Sequence, residues 1–151
     1  MKMMSVKRLL LMAVLHFAAM YILMYSMVNT LDNIFPNLNQ FYMAGIMTAP
    51  MLVFEALLMG SMYQNKKALM VITASSIAVF VFFFLFIRQQ IAIADNEFIR
   101  SMIPHHSGAI LMCERSELQD EELKELCQEI IAAQQSEIDQ MKQIMNRLNN
   151  Q

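Results

Sequence analysis

Three long apolar stretches crowd the first 90 residues, and a chain that carries them has few ways to satisfy its backbone. They read LLLMAVLHFAAMYILMYSMV at residues 9–28, FYMAGIMTAPMLVFEALLMGSMY at 41–63 and ALMVITASSIAVFVFFFLFI at 68–87. An α-helix needs about 20 apolar residues to cross a bilayer core. Inside lipid an open strand or loop leaves polar groups unpaired, so helices are the economical solution. The first stretch follows Lys2, Lys7 and Arg8, as a signal peptide would. It is long for one and no A-x-A site follows it, so a retained helix is the better reading. The expected fold is therefore all-α, with a transmembrane domain over residues 1–90 and a polar domain over 91–151.

Charge sets the expected orientation. Lys2, Lys7, Arg8, Lys66 and Lys67 fall on one side of three spans, while the first connecting loop, NTLDNIFPNLNQ, has no Lys or Arg. The positive-inside rule then puts the N-terminus in the cytoplasm and the tail outside the cytoplasmic membrane. Arg88 and Arg100 weaken this bias without reversing it. With a net charge of −2 and no long basic block, nucleic acid is not an expected partner.

The tail reads as two helices with a break near SELQDEE. Asp95 or Asn96 is suited to cap the first, and Asp120 the second, with Glu121 and Glu122 favourable in its first turn. Pro104 either kinks a continuous helix or begins a new one. In the second helix Cys127, Ile131, Gln134, Ile138, Met141, Met145 and Leu148 recur at alternating steps of four and three, a coiled-coil seam. Two helices alone bury little apolar surface, so the hairpin is expected to pair with a second copy into a four-helix bundle.

The segment SMIPHHSGAILMCERSE, residues 101–117, concentrates soft and borderline metal ligands. If the hairpin turns near residue 120, His106 faces Gln134, Cys113 faces Cys127 and Met102 faces Ile138, with Glu137 and Met141 within a turn. Two candidate constellations follow: Met102, His105 and His106 with Glu137 and Met141, and Met112 with Cys113 and Cys127. Imidazole and thioether suit Cu(I) or Ag(I), since soft ligands select soft ions, whereas zinc prefers thiolate, imidazole or carboxylate. The bland account is a buried, hydrogen-bonded His beside a methionine core. Cys113 and Cys127 form either a disulfide or two free thiols.

A second ladder runs through the spans. Met12, His16, Met20, Met24 and Met27 recur on the first, and Met43, Met47, Met51, Glu55 and Met59 on the second. Folded back at Phe35-Pro36, these bring His16 level with Glu55, Met20 with Met51 and Met24 with Met47. An ionisable residue in a span is a functional candidate whose partner should be named, and His16–Glu55 is that pair. One reading is a methionine-lined relay for Cu(I). The other is that Met, with 17 copies in the chain, packs helices wherever a gap needs filling.

Phe98, MIPHH at 102–106 and AILM at 109–112, followed by Ile130, Gln134, Glu137-Ile138 and Met141, resemble the bacterial family catalogued as domain of unknown function 305. That family includes CopM-like periplasmic proteins linked to copper and silver. The resemblance covers about residues 95–148 and implies a helical, ferritin-like bundle. It implies His and Met ligands at Met102, His105, His106, Met112 and Met141. Cys113 stands where the family commonly has Ala, Ile144-Met145 replaces a usual Trp-Leu, and one motif copy is present.

No nucleophile elbow, phosphate loop, HExxH or CxxC occurs, and Ser107-Gly108 beside His106 lacks the partners of a triad. An enzyme is not indicated, although a copper site can support redox chemistry. The leading expectation is a membrane-anchored Cu(I)- or Ag(I)-binding protein serving tolerance, storage or delivery to a copper-handling partner. The alternative is an assembly protein whose hairpin drives homo-oligomerisation without metal.

Overall fold

A computed structural model of the protein describes residues 6–150. Lys2, part of the orientation argument, lies outside the described residues. The architecture is all-helical: α1 (Val6–Leu23), α2 (Leu38–Met59), α3 (Lys66–Arg88), α4 (Asp95–Arg115) and α5 (Glu121–Asn149). Short 3-10 turns at Met24–Met27, Leu31–Asn33 and Gly60–Met62 join or extend them. No strand occurs among the described residues. Val6–Met27, Leu38–Met62 and Lys66–Arg88 are long and apolar enough to cross a membrane, within a few residues of the expected spans.

The chain forms two compact units, and their division does not follow chain order. Residues up to Met24 and Asn39–Ile91 make one, while Tyr25–Leu38 and Ala92–Gln151 make the other. The loop between the first two apolar helices thus packs with the polar tail, a feature absent from the sequence reading.

In the first unit Leu9, Tyr63 and Leu69 are buried, with Met12, Leu52, Ala56, Met59 and Ile72 around them. Elsewhere Phe41 meets Phe17 edge-on at 5.0 Å and Phe83 at 5.9 Å, and Tyr42 meets Phe86 at 5.6 Å. The buried face of α2 is made of small residues, Ala44, Gly45, Thr48 and Ala49, with Tyr42. Gly45 is required by this contact, because a Cβ there would stand 2.3 Å from the Phe83 ring. Small residues let apolar helices approach closely where lipid offers no hydrophobic driving force. The large side chains of α1 and α3, including Leu11, Val14, Met70 and Val71, face outward and remain exposed. That is the surface a lipid-embedded helix presents.

In the second unit α4 and α5 lie antiparallel. Three contacts fix their register: Asn96 Nδ2 donates to Asn149 Oδ1, His106 meets Glu137, and Cys113 is bonded to Cys127. Ile99, Ile103, Ile110 and Ile138 are buried between the helices. Phe35 from the loop and Ile131, Met141, Ile144, Met145 and Leu148 of α5 pack against them. The expected seam of α5 is therefore its inward face. Asp120 caps α5 as expected, its carboxylate accepting from Leu123 N at 2.9 Å. The cap of α4 differs: Ala94 occupies that position with no side-chain bond, and Asp95 opens the first turn instead.

Pro104 lies inside one continuous α4. A proline has no N–H, so the Arg100 carbonyl one turn back lacks its helical donor. Asn37 Nδ2, from the loop, donates to that carbonyl at 3.3 Å. The same loop attaches at three further points. Ser107 Oγ donates to Asn29 Oδ1 at 2.6 Å and accepts from Asn29 N at 2.8 Å. Leu38 N donates to Glu97 Oε2 at 2.9 Å. Gly108 lies beneath the Met27 backbone, where even an added Cβ would only reach contact at 3.5 Å.

Candidate functional site

The residues singled out on the polar tail converge at His106. Its ring is buried on α4, one turn after Met102. The Met102 carbonyl lies 2.9 Å from Nδ1 and accepts from it, which directs Nε2 away from the helix axis. Nε2 stands 2.6 Å from Glu137 Oε2, contributed by α5. This places Glu137 within a turn of the expected level and joins the two half-motifs of the sequence. The His106 side chain is one-tenth exposed and that of Glu137 about half, at 53 %. The pair therefore sits at the edge of the interhelical core, reachable from solvent through the carboxylate.

His105 behaves differently. Successive helix residues diverge by about 100°, so its ring is exposed while its neighbour's is buried, with centroids 5.9 Å apart and nearly edge-to-face. The two imidazoles do not share one pocket within a single hairpin. Met102 and Met141 are half-buried, Met141 against the isoleucine cluster, and Met112 is exposed at 53 %. Among the described residues no three His, Cys, Asp or Glu side chains gather closely enough to hold an ion by themselves.

Cys113 leaves the candidate ligand set. It forms a disulfide with Cys127 across the two helices, with Cα atoms 5.3 Å apart. Metal ligation requires a thiolate, so the constellation of Met112, Cys113 and Cys127 is not available. Of the two alternatives left by the sequence, the disulfide is the one formed.

The ladder expected along the first two apolar helices is also redrawn. Glu55 Oε1 accepts from the Tyr63 hydroxyl at 2.9 Å, and among the described residues it makes no bond to His16. Met20, Met24 and Met51 are half-buried, but Met47 is exposed at 43 %. The physical reason lies in α2, which turns its small face inward and so rotates its methionine stripe toward the flank. A Met period of four drifts around a helix of 3.6 residues per turn and cannot stay on one buried face. Tyr63, the partner of Glu55, follows the end of α2, eight residues beyond the carboxylate, where helical spacing from Glu55 does not point to it.

Sequence reasoning also missed the loop residues that hold α4. The signal was present in the density of Asn in NTLDNIFPNLNQ and in the small pair Ser107-Gly108, which offers a place for another backbone to dock.

Comparison with known proteins bears on the polar tail and on the whole chain. The family model described as Domain of unknown function (DUF305) matches residues 86–145. The chain is 35 % identical over 141 residues to Uncharacterized protein L153 of Acanthamoeba polyphaga mimivirus, covering 91 % of each. That similarity runs through the apolar helices as well as the hairpin. No solved structure matches the chain.

Proposed function

The chain belongs to the DUF305 family, and from that premise we propose that it is a membrane-anchored protein that captures a soft metal ion, Cu(I) or Ag(I), for tolerance, storage or delivery to a partner. The observation that carries the reading is the disposition of His106. Its Nδ1 is committed to the Met102 carbonyl, so Nε2 is the nitrogen turned toward a ligand, held in one tautomer by a backbone acceptor. Glu137 stands beside it on the facing helix. Met102 and Met141 are the further donors within the hairpin, His105 is a donor turned outward from the same helix, and Met112 is more remote. Donors of the imidazole and thioether type favour Cu(I) or Ag(I) over an ion that demands charged ligands.

The hairpin would lie on the outer face of a cytoplasmic membrane, as in a bacterial inner membrane. Support comes from Lys7, Arg8 and Lys66 at the opposite ends of the spans, and from a disulfide that persists only in an oxidising compartment. The hairpin is read as half of a ferritin-like four-helix bundle, completed by a second copy. A second function is favoured by the His106–Glu137 contact itself: with one proton between Nε2 and Oε2 it satisfies the ring without any metal ion. On that reading the hairpin assembles copies of the chain and binds no metal.

Titration separates the two. The full chain in mild detergent, loaded with Cu(I) or Ag(I) under a competing chelator, should lose at least about tenfold in affinity on replacing His105 and His106 together by Ala, about 1.4 kcal/mol. Unchanged or absent binding in the parent protein would leave the assembly function.

A further inference from the structure

One side of the hairpin is open, and its residues match each other in register. On α4 each inward-facing residue, Ile103, His106, Ile110 and Cys113, is preceded by one turned to the flank: Met102, His105, Ala109 and Met112. On α5 the same offset from Ile131, Gln134 and Ile138 selects Ile130, Ala133 and Glu137. In an antiparallel pair the preceding residue falls on the same side of both helices, because reversing the chain reverses both its direction and its facing. The opposite flank of α4, through Arg100 and Ser107, is already covered by residues 25–38. The uncovered flank keeps Phe98 exposed at 51 %, Met112 at 53 % and Leu126 at 48 %.

We propose that this flank is the docking surface for a second copy of the chain, with α4 of each copy lying along α5 of the other. In this arrangement the two hairpins lie side by side in the same direction, related by a two-fold axis along the bundle they form. Such an axis preserves the height of every residue. The hairpin's own level contacts, at Asn96–Asn149, His106–Glu137 and Cys113–Cys127, therefore also set the register between copies.

At those heights Phe98 meets Ile144, Ala109 meets Ala133 and Met112 meets Ile130. His105 meets Glu137. Apolar residues fall on apolar ones, small on small, and the imidazole on the carboxylate. A slip of one heptad in either direction would set Glu137 against Phe98 or Met112 and His105 against Ile130 or Ile144, leaving a polar group against apolar surface at each. Each Glu137 is thereby bracketed by His106 of its own hairpin and His105 of the partner copy. The two adjacent imidazoles, which diverge within one chain, come to serve neighbouring carboxylates in the pair. This inference rests on the reading that a second copy completes the bundle and does not require the metal.

The test uses two differently tagged full chains produced in the same membrane, one carrying Ala109→Cys and the other Ala133→Cys, treated with a short bis-maleimide. A covalent dimer carrying both tags is expected from this mixture. None is expected when Ala133→Cys is replaced by Gln135→Cys, whose side chain lies on the other flank of α5. A dimer that cross-links equally through Gln135→Cys, or not through Ala133→Cys, overturns the docking face and register while leaving the second copy in place. A chain that remains monomeric in membranes and in mild detergent overturns the two-copy reading itself.

Discussion

The side-chain amide of Asn37 donates to the backbone carbonyl of Arg100, the acceptor that Pro104 deprives of its helical donor. A residue 63 positions away in sequence thus repairs a defect that local chemistry would leave open. It also explains how a proline sits in the middle of an unbroken 21-residue helix. The loop that supplies Asn37 is part of the polar domain rather than a passive connection between two apolar helices.

Asn37→Ala should destabilise the chain by about 1 kcal/mol, the usual net value of one such bond. Pro104→Ala supplies the missing N–H, so the cost of Asn37→Ala in that background should fall by the share owed to the Arg100 bond, leaving what its bond to the Phe35 carbonyl contributes. Thermal unfolding of the two single variants and the double variant in detergent measures the coupling. Equal losses in both backgrounds would show that Asn37 acts through the Phe35 carbonyl and not through that of Arg100.

The Cys113–Cys127 disulfide closes a short loop with a sequence separation of 14. Constraining such a loop in the unfolded chain is worth about 3 kcal/mol. Reduction, or Cys113→Ser with Cys127→Ser, should lower the melting temperature of the hairpin by a corresponding amount without changing its helix content. Alkylation under native, non-reducing conditions should label neither cysteine.

Gly45→Ala should destabilise the unit of apolar helices, because the new methyl group would overlap the Phe83 ring. Overpacking of this kind costs about 1–3 kcal/mol. Phe83→Ala makes room, so the double variant should recover part of the loss at that site even though it sheds aromatic contacts. A thermal-aggregation assay on membranes from the four combinations reads the result, with strict additivity counting against the clash.

Glu137 is half-exposed, so its pairing with His106 contributes well under about 1 kcal/mol to folding. Glu137→Gln should therefore leave the melting temperature nearly unchanged. On the metal reading it should weaken a divalent ion such as Zn(II) about tenfold but affect Ag(I) by less than about threefold, since a carboxylate is a poor ligand for a soft ion. Parallel titrations of both ions against the parent chain check the split.

The polar hairpin was legible because its two signals are local. The alternating four-and-three seam from Cys127 to Leu148 names the inward face of α5, and Asp120 names its start. The turn between them then fixes which residues of α4 and α5 stand level, and both the disulfide and the His106–Glu137 contact follow within a turn. The membrane ladder was less legible. Unbranched methionines repeat on a helix without declaring a face, and in α2 the smaller residues beside them won the interior by allowing Phe83 to approach.

Sequence alone determined that this chain is helical, that three of its helices are apolar enough to enter lipid, and that the tail folds back on itself. Those properties depend on period, length and capping, which are written in consecutive residues. The tertiary structure decided what depends on distant atoms meeting. It placed residues 25–38 on α4, gave Glu55 to Tyr63, and sent His105 outward while burying His106. Each of these rests on which polar group finds a partner once the chain is packed, and hydrogen-bond satisfaction across long separations cannot be read from local pattern.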